Sequence, residues 1–242
     1  MATSGIKRVL VTGGNRGIGL AIAKGLKQLG MDVAIGSRNR ADGEAAVTGT
    51  GMSCVELDVS DARSIEAAIA SVGPFDVLVN NAGVLFQEPM LARPDEFEQS
   101  MAVMVEGPYR LIRACAPHMT RQGYGRIVNV GSQAGLWAAH EGNGMPYKVA
   151  KAGVIHYTRV LACDLGPYGI NVNCIAPGAF PTDAEKIHPN PEGYEAVILQ
   201  SQAIQRRGRP EDIANAVLFF ASPMSDFITV QSLLVDGGWV TN

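Results

Sequence analysis

Three observations predict an α/β fold, a single doubly wound, seven-stranded parallel sheet flanked by helices, for this chain of 242 residues. Short apolar runs alternate with stretches of helical spacing, and parallel strands need such long crossovers. The apolar runs are nearly continuous, which is typical of strands covered on both faces. No linker or composition break divides the chain, so we expect one domain over residues 1–242.

The strands follow from apolar runs of four to six residues, and the helices from apolar positions recurring every three or four residues. Two helical stretches are long, about 94–122 and 147–165. The least regular segment, 182–209, is predicted to form a lid over a site, with a plain surface excursion as the alternative. The predicted strands are 8–12, 33–36, 54–58, 76–81, 127–130, 170–175 and 232–235.

Composition narrows the class of protein. The net charge is −3 and 18% of residues are charged, without a basic stripe for nucleic acid or an apolar stretch that could span a membrane. The four cysteines are far apart and form no CxxC pair, which favours reduced thiols in the cytoplasm. No group of His, Cys and carboxylates has metal-ligand spacing, so we expect no metal.

A glycine-rich turn follows the first predicted strand, in residues 12–19. Gly13, Gly17 and Gly19 allow a tight turn and close approach of a ligand to the backbone. The helix that begins there offers free N–H groups and a positive dipole end to a pyrophosphate. In its strand–turn–helix setting, the turn predicts a dinucleotide site of the Rossmann type.

The end of the second predicted strand indicates which dinucleotide binds. NAD-binding proteins place a carboxylate there for the ribose hydroxyls, whereas this chain has Ser37 and Arg38. Asp32 opens that strand and therefore lies at its other end. An arginine pairs with a 2′-phosphate, and Arg16 in the glycine turn adds a second charge. The pattern favours NADP(H); the alternative is that both arginines are solvated surface charges.

Ser132, Tyr147 and Lys151 are the candidate catalytic residues. Tyr147 and Lys151 are one helical turn apart, so they share a face. A free tyrosine has a pKa of about 10, and proton exchange near neutral pH favours a value nearer 7. A nearby ammonium and helix-terminal N–H groups lower such a pKa. Ser132 follows the fifth predicted strand, at the edge where α/β sheets bind ligands. The alternative for Tyr147 and Lys151 is a solvated pair on a helix surface, which would have the same spacing.

Together these motifs resemble the short-chain dehydrogenase/reductase family over essentially the whole chain. The resemblance implies that Tyr147 is the general acid in reduction and the base in oxidation, that Lys151 binds the nicotinamide ribose, and that Ser132 orients the carbonyl. It also implies a homotetramer or homodimer, assembled through the two long helices and the last strand. The matching segments are 12–19, 58–59, 80–83, 131–132, 147–151, 177–178 with Thr182, and 235–238.

The resemblance extends the set of residues expected to bind the cofactor. It implies that Asp58 meets adenine, that Asn80 and Gly83 support the adenosine side and the sheet, and that Thr182 and the Phe180 backbone meet the carboxamide. The complete predicted set is Gly13, Asn15, Arg16, Gly17, Ile18, Gly19, Ser37, Arg38, Asp58, Val59, Asn81, Ala82, Gly83, Tyr147, Lys151, Pro177, Gly178 and Thr182.

Three positions depart from the family pattern. Met104 stands where the family often has an asparagine that helps water relay protons to the lysine. The gap between Ser132 and Tyr147 is slightly longer than in many members, which enlarges a loop expected to edge the substrate pocket. Val230 stands where the family usually has glycine, and a β-branched residue costs energy there if φ is positive.

These features predict an NADPH-dependent carbonyl reductase, reversible as an alcohol dehydrogenase, that acts on a small molecule. The alternatives are a 3-oxoacyl thioester reductase, a cofactor-binding protein with little turnover, and a non-redox relative that opens epoxides or eliminates halide. Lys151 and the glycine turn argue against the non-redox relative. We expect His140, Glu141 and His188 to be loop polar residues. Four residues could line an apolar pocket or be ordinary packing: Phe86, Trp137, Met145 and Phe180.

Overall fold

Seven parallel strands form one sheet in the order β3-β2-β1-β4-β5-β6-β7, which confirms the predicted fold class. The computed structural model describes residues 5–85, 95–136, 144–181 and 191–239. The chain turns from β1 outward to β3 and then returns to β4, so the carboxyl ends of β1 and β4 flank the crevice where such sheets bind ligands. The strands are β1 Arg8–Thr12, β2 Asp32–Ser37, β3 Ser53–Glu56, β4 Val77–Asn80, β5 Gly125–Val130, β6 Ile170–Pro177 and β7 Ser232–Val235.

Helices cover both faces of the sheet, because successive strand residues point to opposite sides. On one face Val9 and Val11 pack with α1 and α8. On the other face Leu10 packs with α3, α5 and α6. The helices are α1 Gly17–Gln28, α2 Arg40–Val47, α3 Ala62–Val72, α4 Asp95–Met101, α5 Gly107–Gln122, α6 Met145–Leu165, α7 Pro191–Ser201 and α8 Pro210–Ala221.

The first long helix differs from its prediction. A π-helical segment, Ala102–Glu106, joins α4 to α5 where the periodicity predicts uninterrupted α-helix. A wider turn of this kind is common beside functional sites, and here it carries the buried Met104. In the described part of the chain no helix is both long and apolar enough to span a membrane.

Asp32 lies at the amino end of β2, as its place in the sequence predicts. Its carboxylate accepts a hydrogen bond of 3.2 Å from Arg8 Nε at the start of β1. Since ligands of such sheets bind at the opposite, carboxyl edge, this acid is remote from any ribose bound there.

Val230 has a φ of 68°, in the left-handed region that favours glycine. It is the one such non-glycine residue in the part of the chain that the structure describes. Its N–H donates to the Val172 carbonyl at 3.0 Å, which ties the approach to β7 onto β6. A side chain in this conformation costs about 1–2 kcal/mol.

We expect Val230→Gly to cost about 1–2 kcal/mol less in unfolding free energy than Val55→Gly, because it also relieves the left-handed strain. Val55 is the matched control: it is half-buried against the same core cluster, but lies in the extended strand β3. Both changes remove a valine side chain and add chain flexibility. Urea denaturation measures the two costs, and equal costs would contradict strain at Val230.

Candidate active site

The glycine turn between β1 and α1 is held by hydrogen bonds to the end of β4. Thr12 Oγ1 accepts from the backbone N–H groups of Asn81 and Ala82, each at 3.0 Å. Asn81 Nδ2 donates in return to the carbonyls of Thr12 and Gly13, at 2.9 and 3.2 Å. The side-chain amide of Asn81 thus keeps the turn in shape, a role that Thr12 shares and that motif spacing does not reveal.

The turn leaves no room for side chains at several of its glycines. A Cβ on Gly19 would stand 2.2 Å from the Gly13 carbonyl oxygen, and Gly13 itself has a φ of 62°. Gly17 has a φ of 53°, and a Cβ there would meet open space. The backbone at Gly17 is therefore accessible to a ligand, while Gly13 and Gly19 shape the turn beneath it.

The amino end of α1 fits an anionic group. Its N-cap residue, Arg16, makes no capping side-chain hydrogen bond, and the first turn contains no acidic residue. Backbone N–H groups at such an end attract phosphate, and no carboxylate of this turn competes for them. Asn15 and Ile18 flank Arg16 and Gly17 at the same end.

Ser37 ends β2 and Arg38 directly follows it, so both lie at the carboxyl end of that strand. Ser37 is buried and its hydroxyl donates to the Asn39 carbonyl at 2.8 Å, whereas Arg38 is exposed. Asn39 caps α2 by accepting from the Ala41 N–H at 2.9 Å. Arg40 bonds Glu44 at 2.7 Å, so its charge is already paired. A 2′-phosphate at this edge would face the Arg38 guanidinium.

Asp58 and Val59 lie just beyond β3, because that strand ends at Glu56 and is shorter than predicted. Asp58 Oδ1 accepts from the Ser60 N–H at 2.9 Å and from its hydroxyl at 2.6 Å. These bonds orient the carboxyl group in the turn before α3. The buried Val59 backs onto the start of α5: a Cβ on Gly107 would stand 2.3 Å from the Val59 carbonyl oxygen.

Ser132 and Lys151 both lie at the carboxyl edge of β5. Ser132 follows the strand, and its Oγ accepts from the Ala134 N–H at 3.1 Å. The short 3-10 helix Gln133–Gly135 then packs on α6, so closely that a Cβ on Gly135 would stand 2.6 Å from the Lys151 carbonyl carbon. On α6, Lys151 Nζ lies 5.6 Å from the centre of the Tyr147 ring.

Lys151 is almost fully buried, and its ammonium donates to the Val130 carbonyl at 2.6 Å. Burial lowers the pKa of Lys151 to about 8, and the neighbouring Cys174 opposes this slightly. Met104 Sδ and the Lys151 ammonium both lie near Gly83: a Cβ on Gly83 would be 3.7 Å from that sulfur and 3.9 Å from Lys151 Nζ. A thioether is at best a weak acceptor, so it solvates the ammonium poorly.

A buried polar chain fixes α6 to the sheet beneath the catalytic candidates. Asn80 Nδ2 donates to Asn129 Oδ1 at 2.8 Å, and Asn129 Nδ2 donates to Thr158 Oγ1 at 2.9 Å. Thr158 Oγ1 in turn donates a hydrogen bond to the Val154 carbonyl at 2.7 Å. Motif spacing did not predict Asn129 and Thr158; polar residues inside a buried strand and on a buried helix face were the available signal.

The end of β6 brings its last residue, Pro177, and the following Gly178 to the same edge. The Gly178 N–H donates to the Val235 carbonyl at 3.0 Å, and a Cβ on Gly178 would stand 2.7 Å from the Asp236 Cα. Phe180 does not line an apolar pocket: its ring is buried in the core with β5, β6 and α8, so ordinary packing is correct there. The predicted residues that lie outside the described part of the chain are Phe86, Trp137, His140, Glu141, Thr182 and His188.

The arrangement offers two kinds of chemistry along one sheet edge. The turn at Gly17 and the exposed Arg38 suit an extended anion with two phosphate groups. The Ser132 hydroxyl and the Tyr147 phenol beside Lys151 suit proton exchange with an oxygen atom. Among the described residues no group of three or more His, Cys, Asp or Glu side chains could hold a metal ion.

Comparison with known proteins agrees with this geometry. The family model described as enoyl-(acyl carrier protein) reductase matches residues 13–240. Short-chain reductase protein NovJ of Streptomyces niveus is 37% identical, over 95% of this chain and 92% of its own length. The 3-oxoacyl-[acyl-carrier-protein] reductase FabG of Chlamydia pneumoniae is 36% identical, over 96% of each chain.

A solved structure gives the same result. The gluconate 5-dehydrogenase of Burkholderia cenocepacia, in complex with NADP and tartrate, superposes with a TM-score of 0.89 at 32% identity, over 96% of this chain and 94% of that one. Because the matches cover nearly the whole chain and include the glycine turn and the Ser132–Tyr147–Lys151 segment, the protein belongs to the short-chain dehydrogenase/reductase family.

Proposed function

We propose that this protein is an NADP(H)-dependent oxidoreductase that reduces a ketone or other carbonyl to an alcohol, reversibly. The observation that supports the proposal lies at the carboxyl end of β5: the buried Lys151 ammonium donates to the carbonyl of Val130, two residues before Ser132, and lies 5.6 Å from the centre of the Tyr147 ring. Relatives at 34–37% identity are named as reductases and dehydrogenases, which supports the reaction class.

The cofactor would lie along the carboxyl edge of the sheet. The amino end of α1 would hold its pyrophosphate, and Ser37 with Arg38 would hold the adenosine 2′-phosphate. Asp58 and Val59 would border the adenine. Ala82 and Gly83 would border the middle of the cofactor, between its adenosine and nicotinamide ends. Pro177, Gly178 and Thr182 would border the nicotinamide. The presence of NADP in the gluconate 5-dehydrogenase complex supports this choice of dinucleotide.

The chain's own residues would handle the substrate oxygen. Ser132 Oγ would donate a hydrogen bond to the carbonyl oxygen and hold it beside the phenol. Tyr147 would donate its phenolic proton to that oxygen as the bond order falls. The Lys151 ammonium would stabilise the phenolate left behind, and solvent would return the proton. When bound, a reduced nicotinamide supplies the hydride that such a reduction requires.

The test is an absorbance assay of NADPH oxidation with purified protein. The panel contains simple ketones, hydroxy ketones and 3-oxoacyl thioesters, because relatives include 3-oxoacyl-[acyl-carrier-protein] reductases. Turnover of free ketones, with thioesters no better, would favour a general carbonyl reductase. Preference for the thioester would favour the acyl-carrier alternative. No turnover of any carbonyl, with tight NADPH binding, would favour a cofactor-binding protein.

Met104 favours one alternative to a fully active reductase, an enzyme with slow turnover, because a thioether cannot pass protons to Lys151. With its pKa lowered to about 8, Lys151 is charged below that pH and loses its proton as pH rises through it. We therefore expect kcat for reduction to fall above about pH 8, where the phenolate loses its cationic partner.

Met104→Asn is expected to move this alkaline limb upward by on the order of one pH unit, because one added hydrogen bond to the ammonium is worth about 1 kcal/mol or more. It should also raise kcat. Met104→Leu is the control, similar in size and without an acceptor, and should leave the limb in place. Identical pH–rate profiles for all three proteins would separate Met104 from the proton path.

We also infer that the protein acts in the cytoplasm and that each chain is one catalytic domain, with residues 182–209 as a lid. We further infer that the chains assemble as a homotetramer or homodimer. Apolar side chains on the long helices and on the edge strand β7 are exposed, among them Tyr109, Val160 and Leu234. Exposed apolar surface of this kind marks contacts between chains. Light scattering would give the mass, and a monomer at micromolar concentration would contradict the inference.

A further inference from the structure

Gln133 directly follows Ser132 and is held in a fixed turn. The Leu136 N–H donates to the Gln133 carbonyl at 2.9 Å, and the Gly135 N–H donates to the Ser132 carbonyl at 3.0 Å. The turn is pressed against α6 at Gly135, where no side chain would fit. The backbone from which the Gln133 side chain projects is thus tied to the same helix as Tyr147 and Lys151.

The side-chain carboxamide of Gln133 reaches toward the loop after β6. Its Oε1 lies 3.2 Å from the point that a Cβ on Gly178 would occupy. Gly178 follows Pro177 at the end of β6, so the carboxamide lies beside the segment expected to border the nicotinamide. Gly178 has no side chain that could meet it.

Oε1 of Gln133 is buried and accepts no hydrogen bond from the described part of the chain. The nearest carboxylate cannot help, because it is itself an acceptor: Asp236 Oδ1 receives the Gly238 N–H at 3.0 Å. Buried acceptors without donors are rare and costly, so an orphaned one beside a catalytic group points to a donor supplied by a ligand.

The rest of Gln133 is only half-buried, so the side chain borders the cleft rather than the core. Because Gln133 directly follows Ser132 and its carboxamide approaches Gly178, a substrate bound between Ser132 and the end of β6 would lie beside this residue. The group that complements a buried carbonyl oxygen is a hydroxyl, which donates one hydrogen bond.

We propose that Gln133 determines substrate specificity by accepting a hydrogen bond from a substrate hydroxyl near the reacting carbonyl, which makes hydroxy ketones the preferred substrate class. The proposal rests on the reductase function proposed above and deepens it. A site built to bind a hydroxyl discriminates strongly against the analogue that lacks it, because its buried polar group is then left unpaired.

The test compares each hydroxy ketone with the plain ketone in which a methyl group replaces the hydroxyl: 1-hydroxy-2-butanone against 3-pentanone, and 4-hydroxy-2-butanone against 2-pentanone, each with NADPH. We expect the wild-type kcat/KM to be about 10- to 100-fold higher for the better hydroxy ketone. Gln133→Leu keeps the size and removes the acceptor. It should bring the ratio close to one by lowering kcat/KM for the hydroxy ketone alone.

The controls separate specificity from structure. A merely structural role for Gln133 would lower kcat/KM for both ketones together, and this would overturn the proposal. So would an unchanged ratio in Gln133→Leu. Gln231→Leu changes an exposed glutamine at the opposite edge of the sheet and should leave the ratio as in the wild type. Absence of NADPH oxidation with every ketone would instead reject the reductase function itself.

Discussion

Tyr147→Phe is expected to lower kcat for carbonyl reduction by about 10²- to 10⁴-fold, the range for loss of a general acid. The substitution removes one oxygen atom and leaves the ring in place over the Lys151 ammonium. Cofactor binding should change little, since the elements proposed to bind its phosphate groups are α1 and the end of β2. The measurement is NADPH oxidation at saturating ketone, with NADPH affinity from fluorescence titration.

Tyr157→Phe provides the matched control on the same helix. The Tyr157 hydroxyl is buried and has no hydrogen-bond partner among the described residues, and burial raises its pKa. Removing that hydroxyl should leave kcat close to wild type. If Tyr147→Phe retains full rate, or if both variants lose rate equally, Tyr147 is not the proton donor.

Arg38→Asp is expected to lower the preference for NADPH over NADH, as the ratio of kcat/KM values, by about 100-fold or more. Loss of a charge-assisted hydrogen bond costs about 1.5–3 kcal/mol, and the new carboxylate also repels the 2′-phosphate. The new carboxylate can in addition accept hydrogen bonds from the ribose hydroxyls of NADH. The ratio is measured with one ketone and both cofactors.

Arg40→Asp makes the same change of charge two residues further on and is the control. Its guanidinium is paired with Glu44 at 2.7 Å, so it has less to offer a phosphate. The NADPH preference of this variant should stay near that of the wild type. An unchanged ratio in Arg38→Asp would remove Arg38 from cofactor choice and return it to the alternative, a solvated surface charge.

The sheet was predictable because its strands are buried on both faces. Runs such as that of β1 are apolar without interruption and end at turn residues, so their place and parallel pairing follow from the sequence. The family pattern, in which glycine is usual at position 230, predicted strain at Val230 if its φ were positive, and the φ is 68°. Strand ends were less certain: Asp58 falls beyond β3 because the strand stops two residues earlier than its apolar run suggests.

Features that depend on tertiary contacts could not be predicted from periodicity. The π-helical segment at Met104 widens a single stretch of five residues, which is too short for helical periodicity to distinguish it from α-helix. The ring of Phe180 fits into the core because Gly208 has no side chain: a Cβ there would stand 2.3 Å from the ring. This contact joins segments that are distant in the sequence. The Asn80–Asn129–Thr158 chain likewise joins residues from two strands and a helix.

A crystal structure of the protein with bound NADPH would decide whether the three catalytic candidates converge on the cofactor. We predict the nicotinamide at the carboxyl edge of β5 and β6, with Tyr147 Oη and Ser132 Oγ both within about 3 Å of one point beside its reactive carbon. Lys151 Nζ should then contact the adjoining ribose. A dinucleotide bound at another edge of the sheet, or hydroxyl groups of Ser132 and Tyr147 directed into separate regions, would contradict the proposed reductase site.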